Sequence, residues 1–122
     1  MFRHAFAAAL ATVLGAAAGL AAAPALAADG AQLFALQCRA CHQAASTPMA
    51  PALTGVAGAK IAARQDFAYS PGLKAKGGTW TDANLEAFLK SPTAFAPGTK
   101  MPIAVPADDG RAAIVGYLHT LK

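Results

Sequence analysis

Hydrophobic residues recur at helical spacing just after residue 29, behind a polar residue. Asp29 is of a type that accepts hydrogen bonds from the free N–H groups at the start of a helix. The apolar positions that follow it are Leu33, Phe34 and Leu36. This pattern predicts a helix over about 30–40 with one short apolar face.

A second helical pattern lies at the end of the chain. Its apolar positions, spaced i, i+4 and i+7 with an aromatic neighbour, are Ile114, Leu118, Leu121 and Tyr117. Asp108 and Asp109 come before them and place negative charge at the positive end of the helix dipole. We therefore expect these two aspartates to cap a final helix.

Shorter helices are predicted between these two. Ser70-Pro71 predicts a helix over 70–75, which Gly77-Gly78 ends. Thr81-Asp82 predicts another helix, which ends at Ser91-Pro92.

The remaining segments are rich in proline and glycine. Residues 43–68 lack periodicity and are predicted to be loop, and residues 96–107 are predicted to be extended or turning. No alternating strand pattern and no internal repeat occurs. The predicted fold class is all-α, with helices at both ends, short helices between them, and long loops.

The first 27 residues have the layout of a secretory signal peptide. A basic start is followed by an apolar run and by Ala25-Leu26-Ala27, which has small residues at the positions that signal peptidase needs. Cleavage after Ala27 is expected, or alternatively after Ala28, so 28–122 would form one periplasmic domain. An uncleaved membrane anchor is the other interpretation, but alanine and glycine gain little from hydrocarbon.

Composition indicates an incomplete core. Hydrophobic residues make up 56% of the 122 residues, but many lie in 1–27 and much of the remainder is alanine. A small domain with two long loops and few large apolar side chains needs something else to fill its interior. A large apolar cofactor would do so.

The motif Cys38-Arg39-Ala40-Cys41-His42 is the C-x-x-C-H signature of covalent haem attachment. Two thiols at this spacing reach the two vinyl groups of one haem, and the adjacent imidazole becomes the proximal iron ligand. A thioredoxin-like pair would follow a strand, and none is predicted here. A zinc site lacks a fourth ligand, and a disulfide would close too small a ring to stabilise much.

Three residues could supply a second axial ligand. Met49 lies only seven residues past His42, so an abrupt chain reversal would be needed to bring it to the opposite haem face. His119 falls in the last predicted helix and is expected to face solvent. Met101 lies in an irregular segment that can hold a thioether over a haem face, and a soft thioether stabilises ferrous iron.

Taken together, these motifs resemble the class I c-type cytochromes, within the mitochondrial and soluble bacterial cytochrome c branch. The matching positions span 28–122 and are Gly30, Phe34, Cys38, Cys41, His42, Pro51, Leu53, Gly55, Tyr69, Trp80, Pro97-Gly98-Thr99-Lys100-Met101 and Tyr117. The resemblance implies a small monohaem fold whose terminal helices pack together, with Gly30 and Phe34 meeting Ile114 and Tyr117.

The resemblance also implies roles around the haem. The Pro51 carbonyl would accept a hydrogen bond from Nδ1–H of His42 and so fix its tautomer. Tyr69 and Trp80 would hydrogen-bond a buried propionate, although both could simply be core aromatic residues. Thr99 and Met101 would belong to the haem-binding set, with His42 and Met101 as iron ligands.

Three positions depart from that branch. Leu73 stands where an asparagine usually lies near the haem, and Phe88 where a tyrosine hydroxyl usually lies near the methionine sulfur. Both changes remove polar groups, so we expect a drier pocket on the Met101 side. Ala59 stands where an arginine often meets a propionate; Lys60 or Arg64 would replace it, or the propionate would lack a cation.

The surface expected around the haem edge carries little charge. Mitochondrial members have lysines where this chain has Gln32, Gln37 and Thr93, while Arg39 and Lys100 remain, with Lys74 and Lys76 further off. The net charge is +4, from ten Lys and Arg against six Asp and Glu, and +3 without residues 1–27. So modest and scattered a charge argues against nucleic-acid binding and predicts weak steering of protein partners.

The function that these observations favour is that of a soluble, monomeric, periplasmic one-electron carrier, not an enzyme, with one covalent haem c. Its expected partners are redox proteins such as a quinol-cytochrome c oxidoreductase, a terminal oxidase, a reaction centre or a periplasmic dehydrogenase. The alternatives are a haem enzyme or gas sensor with a labile sixth ligand and, less well supported, a thiol oxidoreductase. No membrane span is expected after signal cleavage.

Overall fold

The computed structural model describes residue 19 and residues 29–122, and the fold consists of five helices within this part. They are α1 (Gly30–Gln37), α2 (Pro71–Lys76), α3 (Asp82–Lys90), α4 (Pro92–Phe95) and α5 (Asp108–Leu118). Across these residues the extended backbone forms only an isolated bridge between Lys60 and Thr79. The predicted signal segment, apart from Gly19, lies outside the described residues. No helix among those described is long and apolar enough to cross a membrane.

Side-chain caps set the starts of most helices. Asp29 accepts hydrogen bonds from the backbone N–H groups of Ala31 and Gln32, as the sequence predicted. Ser70 accepts from the N–H of Leu73 and so begins α2, with Pro71 in its first turn. These local contacts explain why the predicted starts agree with the structure.

Three expectations about helix bounds are wrong. Helix α1 ends at Gln37 rather than near 40, because the chain turns at the C-x-x-C-H motif. Helix α4 was not predicted: Ser91-Pro92 ends α3 but also begins a new turn, since Ser91 accepts from the N–H of Ala94. Helix α5 begins after Ala107 without a side-chain cap, so the two aspartates occupy its first turn instead.

The terminal helices cross and form the main helix contact of the fold. Gly30 lies against Ala113, where a Cβ atom would overlap the carbonyl oxygen of that residue. The rings of Phe34 and Tyr117 lie 5.0 Å apart between centroids, and Ile114 beside them is 1% exposed. The predicted crossing is therefore present, and the absent side chain of glycine is what allows the close approach.

Candidate functional site

An apolar cavity opens between the loops and helices α2, α3 and α5. It encloses about 1130 Å³ of space, including the mouth that opens to solvent. All eight residues that the sequence predicts to bind a cofactor contribute to its lining, and they are Cys38, Cys41, His42, Pro51, Tyr69, Trp80, Thr99 and Met101. Side chains as far apart as 38 and 101 in the sequence thus meet at one site.

The C-x-x-C-H segment forms one part of the cavity wall. After α1, the backbone N–H groups of Cys41 and His42 both donate to the carbonyl of Cys38, at 3.1 Å and 2.8 Å, which folds the motif into a tight turn. Both cysteines are partly buried free thiols. Burial raises the pKa of the Cys38 thiol. Two thiols and an imidazole are therefore held together at the cavity.

His42 is held in one orientation by the backbone of the next loop. Its Nδ1 lies 2.8 Å from the carbonyl oxygen of Pro51. Since a carbonyl only accepts, Nδ1 carries the proton and Nε2 keeps a free lone pair. Burial lowers the pKa of His42, and the bond to Pro51 opposes that effect less strongly. A neutral imidazole with a free Nε2 is the form that ligates iron.

Sulfur and imidazole candidates for a second axial ligand differ in their placement. Met101 lines the cavity and is partly buried within the non-helical segment after α4. Met49 also lines it, but 67% of this residue is exposed. His119 is not part of the lining, and its Nε2 pairs with Asp82 on the surface at 2.6 Å. The partly buried thioether of Met101 is thus the better enclosed of the two sulfurs.

Tyr69 and Trp80 line the cavity from elements that the sequence places far apart. Trp80 is 8% exposed, stacks on Phe95 and packs against Phe88. Burial raises the pKa of the Tyr69 hydroxyl. The ring of Phe67 contacts Tyr69 edge-on at 5.0 Å. Both predicted roles, core packing and hydrogen bonding to a buried acid, are compatible with these positions.

The departures from the cytochrome pattern fall on the cavity wall as well. Leu73, 7% exposed, and Phe88 both line it and present only carbon atoms there. Among the described residues that form the lining, Lys100 is the one with a fixed charge. Neither Lys60 nor Arg64 reaches the lining; Arg64 instead pairs with Asp66 at 2.9 Å. Neither of the two cations expected in place of the family's arginine therefore contributes to the cavity lining.

Several lining residues were not predicted from the sequence. Phe67 and Ile103 flank the predicted Tyr69 and Met101 at a distance of two residues, and Leu53, Leu85 and Leu118 reach the cavity from a loop and two helices. Their apolar character was visible, but a shared cavity depends on tertiary packing. For Phe67, Leu53 and Ile103 the available signal was that each lies two residues from a predicted haem-binding residue.

The donor set fits a covalently attached haem. Two thiols and a neutral imidazole lie at one wall, a thioether lies in the same cavity, and most of the other lining side chains are apolar. Haem c is held by two thioether linkages and a proximal histidine, and a methionine thioether is one of the second ligands that c-type cytochromes use.

Comparisons with known proteins agree with this geometry. The cytochrome c family profile matches residues 27–122. The chain is 45% identical over 94 residues to cytochrome c from Tetrahymena pyriformis, covering 75% of this chain and 85% of that protein. It is 37% identical over 95 residues to cytochrome c2 from Rhodomicrobium vannielii, covering 75% of each.

Structural comparison gives the same result. The solved structure of cytochrome cH from Methylobacterium extorquens superposes with a TM-score of 0.70 at 38% identity, covering 77% of this chain and 97% of that one. The chain spans about half the length of some other curated relatives that it matches.

Proposed function

The chain belongs to the cytochrome c family, and from this premise we propose that it is a periplasmic one-electron carrier with His42 and Met101 as axial ligands. Family membership makes it an electron carrier rather than an enzyme, with one covalently attached haem c on Cys38 and Cys41. The axial ligands, the cellular location and the partners belong to the proposal.

The observation that carries the proposal is that a tautomer-fixed His42 and the thioether of Met101 line the same apolar cavity. When bound, the haem supplies an iron that accepts and releases one electron. Pro51 holds the imidazole, and Met101 favours the ferrous state because its sulfur is soft. Leu73 and Phe88 present only carbon atoms to the cavity, so we expect few ordered waters beside them and similar surroundings of the iron in both oxidation states.

Binding of carbon monoxide tests the carrier against a sensor. If Met101 occupies the sixth position, ferrous wild-type protein at neutral pH binds little carbon monoxide, whereas Met101→Ala binds it readily. Met49→Ala is the matched control, because Met49 is the other cavity-lining methionine and is largely exposed. Strong binding by the wild type would indicate an open site and a gas-sensing role.

Location and partners follow from the signal-like N-terminus and from the family. We expect the protein to exchange electrons as a monomer with membrane-bound redox complexes, such as quinol-oxidising complexes, terminal oxidases or reaction centres, or with periplasmic dehydrogenases. N-terminal sequencing of periplasmic holoprotein should find Ala28 first, or Asp29 if cleavage follows Ala28. Recovery of the haem protein in membranes with residues 1–27 attached would refute the proposed processing.

A further inference from the structure

Arg111 is a charged side chain buried inside the fold. The residue lies in α5 and is 5% exposed. Its Nε donates to Glu86 of α3 at 3.0 Å, and its Nη2 pairs with Asp108 one turn earlier. A buried guanidinium is costly unless it is paired and hydrogen-bonded, and here both conditions are met. The two carboxylates thus offset part of the cost of burying the guanidinium.

The remaining donor of Arg111 binds the backbone of the Met101 segment. Nη1 donates to the carbonyl of Val105 at 2.9 Å and to the carbonyl of Pro106 at 2.7 Å. The N–H of Val105 in turn donates to the carbonyl of Leu89 at 2.8 Å. The N–H of Val105 therefore binds α3, and the carbonyls of residues 105 and 106 bind α5 through Arg111.

The stretch that carries Met101 has few attachments of its own. In the described part of the chain, no backbone–backbone hydrogen bond involves residues 100–104. At its start, Lys100 donates through Nζ to the carbonyl of Ala68 at 2.6 Å. The position of Met101 is thus set mainly by how firmly each end of this stretch is held.

We propose that Arg111 is a positioning residue for Met101, acting by clamping residues 105–106 to α3 and α5; this rests on the proposed ligation by Met101. A thioether is a weak ligand that competes with external bases for ferric iron. Met101 would outcompete such bases because the fold already holds its sulfur in place. Each loss of restraint on the segment lowers the affinity of Met101 relative to an external base. The planar fork of Arg111 reaches two adjacent carbonyls and two carboxylates together, which a single ammonium cannot do with the same geometry.

Competition with imidazole tests the clamp. Imidazole is titrated into the ferric holoprotein, and displacement of Met101 is followed by loss of the methionine–iron charge-transfer band. Arg111→Gln should raise the apparent imidazole affinity by about tenfold, the effect expected when charge-assisted hydrogen bonds to the segment are lost. Arg111→Lys, which keeps the charge but not the fork, should give a smaller rise.

The control separates positioning from general destabilisation. Ile114→Ala leaves a cavity at the crossing of α1 and α5, away from the cofactor cavity, and should lower the unfolding midpoint while the imidazole affinity stays within about twofold of wild type. An equal rise in Ile114→Ala, or none in Arg111→Gln, would overturn the clamp. If Arg111→Gln yields no holoprotein, Arg111→Lys decides: a rise supports the clamp and wild-type affinity overturns it.

Failure of the proposed ligation has a different signature. In that case the wild-type spectrum contains no charge-transfer band that depends on Met101, and the spectra of Arg111 variants contain none either. A Met101-dependent band in the wild type, together with an imidazole affinity that Arg111 substitutions leave unchanged, would instead refute the clamp alone.

Discussion

Phe88 gives the cavity an aromatic wall with no hydroxyl. Its ring packs 5.2 Å from Trp80 and 5.7 Å from Phe95 while the residue also lines the cavity. Leu73 also lines the cavity, and neither of these two side chains offers a polar atom to hold an ordered water. An apolar surrounding disfavours the extra positive charge of ferric iron, so these two residues should raise the reduction potential.

Phe88→Tyr should therefore lower the reduction potential by tens of millivolts, as a hydroxyl dipole stabilises the ferric form; about 59 mV corresponds to a tenfold change for one electron. Protein-film voltammetry measures this directly. Phe95→Tyr is the control, because that ring belongs to the same aromatic cluster but is not part of the cavity lining. An unchanged potential in Phe88→Tyr would contradict the dry-pocket interpretation.

At the scale of single residues, the sequence and its family resemblance predicted the ligand candidates and the support of His42, but not the support of Met101. Cys38, Cys41 and His42 form a local motif whose spacing is itself the signal, and the bond from His42 to Pro51 is present as the family resemblance implied. Arg111 carried no such signal. A lone arginine in an amphipathic helix normally faces solvent, and its burial depends on two carboxylates and two carbonyls brought together by the fold.

Among the elements, the crossing of α1 and α5 depends on one glycine. The backbone of Gly30 lies so close to Ala113 that an added Cβ would overlap its carbonyl oxygen and lie 3.0 Å from the Cβ of Tyr117. Backbone is not free to move aside as a flexible side chain is, so the helices would have to separate.

Gly30→Ala should lower the free energy of unfolding by about 1–3 kcal/mol, the usual cost of overpacking. Gly116→Ala in α5 is a matched control, since nothing lies within 4 Å of its added Cβ. That substitution should be neutral or stabilise the protein by about 0.5–1 kcal/mol through helix propensity. Denaturant unfolding of the holoprotein measures both, and equal stabilities of the two variants would show that the close approach is unimportant.

Helix starts were predicted better than helix ends and short helices. Asp29 and Ser70 act through hydrogen bonds to N–H groups within three residues, so the sequence alone specifies them. Helix α4 has only four residues, and Pro92 indicates the end of α3 as readily as the start of another turn. Aspartate is a common N-cap residue, so Asp108 and Asp109 were expected to cap α5. The N-cap is instead Ala107, whose backbone is extended, and the helix begins at Asp108.

Over the whole molecule, positive charge is modest and partly engaged. The chain has a formal charge of +4, which includes Arg3 of the predicted signal segment. Lys100 donates to Ala68 and lies 5.5 Å from the Phe67 ring, while Lys76 lies over the Phe95 ring at 4.3 Å. Lys100, expected at the haem edge, and Lys76, expected further off, thus both have partners within the protein.

Electron transfer to a physiological partner should accordingly depend only weakly on ionic strength. The second-order rate constant should fall by less than about tenfold as the salt concentration rises through the range in which the Debye length shrinks from about 30 to 10 Å. Stopped-flow kinetics with a purified membrane redox complex measures this. Arg39→Gln should change the rate at low salt more than Lys76→Gln, and a steep salt dependence would contradict the weak-steering account.

The large apolar cavity also explains why composition alone suggested a deficient core. The buried apolar set is small, and five of the eleven residues in its main cluster also line the cavity: Leu73, Trp80, Leu85, Val105 and Leu118. That deficiency could be predicted from the alanine-rich composition and long loops, and the C-x-x-C-H motif indicated what fills it. The shape of the cavity could not be predicted, because it depends on loops whose positions follow no local pattern.

Ligation of the haem iron by both His42 and Met101 is the basis of the proposed carrier, and the optical spectrum of the ferric holoprotein is its sharpest test. The wild type should show a methionine–iron charge-transfer band that Met49→Ala retains and Met101→Ala loses. A wild-type spectrum without that band, or a band that survives in Met101→Ala, would contradict it.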